Sequence, residues 1–102
     1  MRRFVVERPL PNIGDATREE QMSMAEVSDE IIERLGVANI RWVQSVFASD
    51  KAYCFYDARD LETVREHSRI GGFPYDSISE VRFVLDRSSM AKADDSTQAD
   101  AQ

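Results

Sequence analysis

The single histidine, His67, and the single cysteine, Cys54, are the side chains best suited to ligation or proton transfer in this chain. An imidazole titrates near neutrality, so His67 could bind a metal ion or act as a general base. It follows Val64 by three residues, about 60° round a helix from an inward stripe of Leu61, Val64 and Ser68. That position predicts the rim of a core. The plainer reading is a half-buried residue near a helix C-terminus, where the helix dipole favours its charged form. Cys54 stands mid-strand between Tyr53 and Phe55 with no base beside it, which suits a small buried hydrophobe better than a nucleophile. Glu7 with Arg8, and Glu80 with Arg82, offer carboxylate and guanidinium groups on outer strands. They could work as acid–base groups lining a cavity, but ion pairing is the expected role.

Larger chemistries leave no trace. There is no Ser-His-Asp signature, zincin helix, Walker sequence or dinucleotide fingerprint, and Gly71-Gly72-Phe73-Pro74 lacks the spacing and lysine of a phosphate loop. One cysteine excludes an intrachain disulfide and a cysteine-rich zinc site, and it suits a reducing, cytoplasmic setting. Nineteen acidic against thirteen basic residues, a net charge of -6, disfavour nucleic acid and anionic membrane as partners. The apolar run Phe4-Val5-Val6 is too short for a secretory leader or a membrane span.

The elements that must position these residues read clearly. A chain of 102 residues has room for one domain. Phe4 to Arg8 is a short strand ending at Pro9. Thr17-Arg18-Glu19-Glu20 is a capping box, followed by Met24, Val27, Ile31 and Leu35 as the apolar stripe of a helix closed by a left-handed Gly36. Ile40–Ala48 and Lys51–Asp57 form a hairpin around Ser49-Asp50, with Ser45 opposite Cys54. Unbroken alternation places Val43, Ser45, Phe47, Ala52, Cys54 and Tyr56 on one face. Trp42, Gln44, Val46, Tyr53 and Phe55 fall on the other. Asp60 caps a second helix that stops at Gly71-Gly72, and Ile78–Leu85 is the last strand. Residues 1–86 form the domain; residues 87–102, rich in Ser, Ala, Asp and Gln, are predicted to be a disordered tail.

Two strand-helix-strand units in succession predict an α+β, ferredoxin-like βαββαβ fold, with both helices on one face of a four-stranded antiparallel sheet. The open face would carry Trp42, Val46, Tyr53 and Phe55 beside Glu7, Gln44, Glu80 and Arg82. An aromatic patch of this kind calls for a cover. A second copy packed face to face would supply it, producing a homodimeric α+β barrel.

The segments Phe4–Arg8, Ile40–Ser45, Lys51–Tyr56, Val64–Pro74 and Ile78–Val81 together resemble a bacterial family of small domains of unknown function, some described as nickel-binding. Arg65-Glu66-His67 and Gly71-Gly72-Phe73-Pro74 are the most specific marks. The resemblance implies a ferredoxin-like fold, a homodimer and, in some members, nickel at histidine-containing sites. His67 matches the family's histidine in the second helix, and Cys54 matches its cysteine in the third strand. Gln44 stands where many relatives carry histidine in a Trp-Val-His-Ser stretch, and Asp29 aligns with a helix-one cysteine of relatives. Nickel favours nitrogen ligands, and an amide substitutes poorly for imidazole.

Three functions follow as expectations. The first is binding of nickel or a similar divalent ion through His67, Cys54 and Gln44. The second is a small cofactor-free enzyme of the dimeric α+β barrel type, an isomerase, cyclase or monooxygenase-like protein, using a cavity with His67, Glu7 or Arg82. The third is a non-catalytic dimerisation or sensing module.

Overall fold

Alternation of side chains builds the central strand. In Arg2–Pro9 (β1), Phe4, Val6 and Arg8 are buried on one side, while Arg3, Val5 and Glu7 point to the other. The structure, a computed structural model, describes residues 1–90, so the predicted tail beyond residue 90 lies outside the described residues. Ile40–Phe47 (β2) and Lys51–Ala58 (β3) form the expected hairpin: the Ala48 amide donates to the Lys51 carbonyl at 2.8 Å, across Ser49-Asp50. Ser77–Glu80 (β4) completes an antiparallel sheet of order β2-β3-β1-β4. This is the ferredoxin-like arrangement.

Two helices cover one face. Arg18–Leu35 (α1) begins with the predicted capping box: Thr17 Oγ1 accepts the Glu20 amide at 3.1 Å, and Glu20 Oε1 accepts the Thr17 amide at 2.8 Å. Its buried residues are Ser28, Ile31 and Ile32, whereas Val27 is exposed. The real stripe is thus rotated from the expected one, because Ser28 finds a buried polar partner on the other helix. Gly36 closes α1 with positive φ, 101°, but with extended ψ rather than the left-handed pair predicted. Leu61–Gly71 (α2) is capped by Asp60, whose Oδ1 accepts the Thr63 amide at 2.9 Å, and ends at Gly72 in a true left-handed conformation, φ 68°. Phe4, Val6, Ile32, Ile40, Tyr56 and Val64 form the core between these layers.

Three expectations about the sheet need correction. The β2–β3 ladder is irregular between Trp42 and Gln44, so Trp42 stands opposite Tyr56 and Gln44 opposite Phe55. The extra residue, Val43, swaps the face of everything before it, and Trp42 lies on the helix side rather than the open side. Glu80 pairs with Phe4, which also puts it on the helix side, 3.4 Å from Arg2. Finally, β4 stops at Glu80 instead of running to Leu85. The register explains the stop: Val81 still donates its amide to Arg3 at 2.8 Å, but two residues later β1 has run out of partners. Arg82, Phe83, Val84 and Leu85 therefore lie past the last strand, the three apolar ones exposed.

Candidate functional site

The helix side of the sheet divides into a filled half under α2 and a hollow half under α1. Arg8 lies in the filled half, only 3% exposed. Its phase with Phe4 and Val6 on a central strand dictates this; the expectation of an outer-strand ion pair was wrong for it. Its Nη1 donates to Ser68 Oγ and the Pro74 carbonyl, both at 3.1 Å, and its Nη2 donates to the Tyr56 hydroxyl at 3.2 Å. The guanidinium carbon sits 5.2 Å from the centre of the Phe73 ring, a cation–π contact. Among the described residues it forms no ion pair. Glu7, its neighbour, points to the open side and binds Lys51 at 2.5 Å.

His67 is fully buried, not at the rim. A helix face wide enough to cover a sheet takes in residues 60° from its midline, and Ser28 on α1 supplies the polar partner that makes burial tolerable. Nε2 lies 3.0 Å from Ser28 Oγ, and the ring packs between Tyr56 and Phe73, at centroid distances of 4.9 and 5.6 Å. Burial pushes its pKa down to about 4, helped by the positive charge of Arg8 and opposed by the contact with Ser28. The imidazole is neutral at physiological pH, so the expected helix-dipole role for its charged form falls away. Nδ1 has no hydrogen-bond partner. A buried orphan acceptor is tolerated better than an orphan N–H, which favours the proton on Nε2, donated to Ser28. Burial also pushes the Tyr56 hydroxyl up to about 12, reinforced by Cys54 and opposed by Arg8.

The hollow half lies beneath the N-terminal turns of α1. The C-terminal half of that helix is anchored by Ile31 and Ile32, while the earlier turns bring Gln21, Met22, Met24 and Ala25 to the cavity wall. Small residues on the strands below (Ser45, Ala52 and Cys54) do not reach up to meet them. A cavity of about 240 Å³ results, walled also by Trp42, Phe47, Tyr56 and Arg8. Trp42 reaches this wall because of the bulge, and its Nε1 donates to Ser45 Oγ at 3.1 Å.

Of the proposed metal ligands, the structure places His67 and Cys54 on the helix side of the sheet, both buried. Gln44 is exposed on the opposite side, paired with Phe55. Among the described residues no three His, Cys, Asp or Glu side chains cluster as a metal site. The neutral, partner-free Nδ1 of His67 has the chemistry of a ligand, but one chain does not complete a coordination shell around it. The acid–base groups named for an enzyme are also dispersed: neither His67, Glu7 nor Arg82 walls the cavity. Sequence reasoning missed Arg8 and Ser28 as buried polar residues. For Arg8 the signal was present in its alternation with Phe4 and Val6; for Ser28 it was absent, since only the other helix gives that position meaning.

Comparison with known proteins bears on fold and family. The solved structure described as "Crystal structure analysis of SCO4226 from Streptomyces coelicolor A3(2)" superposes with a TM-score of 0.67 at 19% identity. The match covers 81% of this chain and 99% of that one, and at this identity it speaks for the fold. Comparison with curated proteins gives no match. The model of the family described as "Nickel responsive protein SCO4226-like" matches residues 4–81, both helices and all of the sheet except Arg2 and Arg3 at the start of β1. The chain belongs to that family.

Proposed function

From membership of the SCO4226-like, nickel-responsive family, we propose that this protein binds nickel or a similar divalent ion as a homodimer, the second copy supplying donors that one chain lacks. The observation that carries this reading is the family match over residues 4–81. His67 and Cys54 are the donors offered from the helix side, and Gln44 is the donor on the open face.

Two apolar areas support a second copy. The open face groups Val5, Val46, Tyr53 and Phe55, with the ion pairs Arg3–Asp57 and Glu7–Lys51 beside them. Beyond β4, Phe83 and Leu85 are 80% and 77% exposed. A lone small domain seldom leaves so much apolar surface to water. A sedimentation measurement should return twice the 11.7 kDa chain mass, and Phe55→Asp should halve it.

Isothermal titration of the chelator-treated protein with Ni²⁺ tests the metal. Saturable heat is expected, weakened at least about tenfold in Cys54→Ala and in His67→Ala, each loss being one soft or imidazole ligand. Gln44→His should tighten binding by restoring a nitrogen donor. A wild type that gives no heat above dilution ends this reading.

A further inference from the structure

We propose that the cavity under the N-terminal half of α1 is a binding site for a small organic carboxylate with an apolar body, anchored by Arg8. The proposal does not depend on the metal reading, although Cys54, a donor in that reading, also walls this cavity.

Arg8 is the first reason. A guanidinium carries five N–H donors, and this one uses three of them, all on neutral acceptors: a serine hydroxyl, a tyrosine hydroxyl and a peptide carbonyl. A charge buried to 97% without an opposite charge is costly, and proteins ordinarily pair it or neutralise it. Arginine cannot neutralise itself by losing its proton. The spare donors and the unmatched charge belong to a residue that walls a cavity, and among the described residues Arg8 is the only charged one in that wall. Planar, forked donors match a carboxylate bidentately.

The remainder of the wall defines the rest of the ligand. Met22, Met24, Trp42 and Phe47 offer thioether and aromatic surface, polarisable and tolerant in shape. Such a lining favours an organic monoanion over phosphate, whose second charge would meet no further cation. The volume of about 240 Å³ falls below the roughly 300–1,000 Å³ usual for larger ligands, which fits one ring or a short branched chain. With Trp42 and Phe47 on its wall, 40% and 41% exposed, the cavity opens toward the β2 edge of the sheet, giving a ligand its way in.

Trp42 is the only tryptophan, so its fluorescence reports occupancy directly. Phenylacetate and hexanoate should each produce a saturable change in the full chain, with a Kd of about 1 mM or tighter. Phenylacetamide, of the same shape without the charge, should bind at least about tenfold more weakly, since it forfeits the charge-assisted bonds. Ala25→Phe, which fills the cavity from α1 without touching the hydrogen bonds of Arg8, should abolish the change. Arg8→Met should abolish it as well, with circular dichroism confirming the fold. The proposal is overturned if neither carboxylate gives a saturable change, if the amide binds equally, if inorganic phosphate binds as tightly, or if Ala25→Phe leaves binding intact.

Discussion

Two halves of one sheet face behave differently. Under α2, Arg8, Tyr56, His67, Ser68 and Phe73 interlock through hydrogen bonds and ring contacts. Under the first turns of α1, side chains of similar apolar character leave a cavity of about 240 Å³. The contrast is one of size and anchoring. Bulky rings and a long guanidinium stem fill the first region, and Ser45, Ala52 and Cys54 underlie the second. A small domain has little stability to spare, so the filled half carries the fold and the hollow half is free to hold something else.

Acid should attack the filled half first and by the largest amount. His67 is buried neutral with a pKa of about 4, against about 6.5 when unfolded. Between those values the unfolded chain binds more protons, so stability is complete above about pH 6.5 and falls as pH drops toward 4. The loss through this window should approach about 3 kcal/mol. Urea midpoints of metal-free protein at about pH 7 and about pH 4 measure it, and His67→Phe, if folded, should flatten this part of the slope. An equal slope in that variant would show that other groups dominate.

Adding volume should separate the halves next. A Cβ on Gly71 would overlap the ring of Phe73, which in turn packs on Arg8 and His67. Gly71→Ala should therefore cost about 2 kcal/mol. Ala25→Leu, pointing into the hollow half, should cost less than about 0.5 kcal/mol or stabilise slightly, because the cavity accepts the added carbons. Equal costs at the two positions would erase the distinction. Thermal unfolding of both variants reads it.

The smallest effect concerns how the roof of the cavity is held. With few packing contacts in its first turns, α1 relies there on the reciprocal bonds of Thr17 and Glu20. Thr17→Ala should cost about 1 kcal/mol and should raise amide exchange in the first two turns of α1 more than anywhere in α2. Uniform exchange across both helices would argue that packing, not the cap, holds that roof.

Much of the architecture was legible in local signals. The capping box, the Asp60 cap, the two-residue hairpin turn and the strand-helix-strand repeat all act over a few residues, so composition and spacing suffice to find them. The site was harder to read. His67 and Cys54 stood out by scarcity, yet spacing put His67 at a rim, because nothing near it in the chain announces Ser28 as its partner. Trp42 was sorted to the wrong face because one extra residue, Val43, breaks a period of two and leaves no mark in composition. The end of β4 depended on where β1 begins, a limit set by pairing and invisible in the strand-like segment Val81–Leu85 itself.

What the sequence determined alone is the order and kind of the elements, since those follow from neighbours along the chain. Which polar groups are buried against one another, that Arg8 lacks an opposing charge, and that a cavity opens beside it were decided only by tertiary structure. Hydrogen bonding, charge compensation and free volume depend on atoms that meet across elements, and no local pattern encodes such meetings.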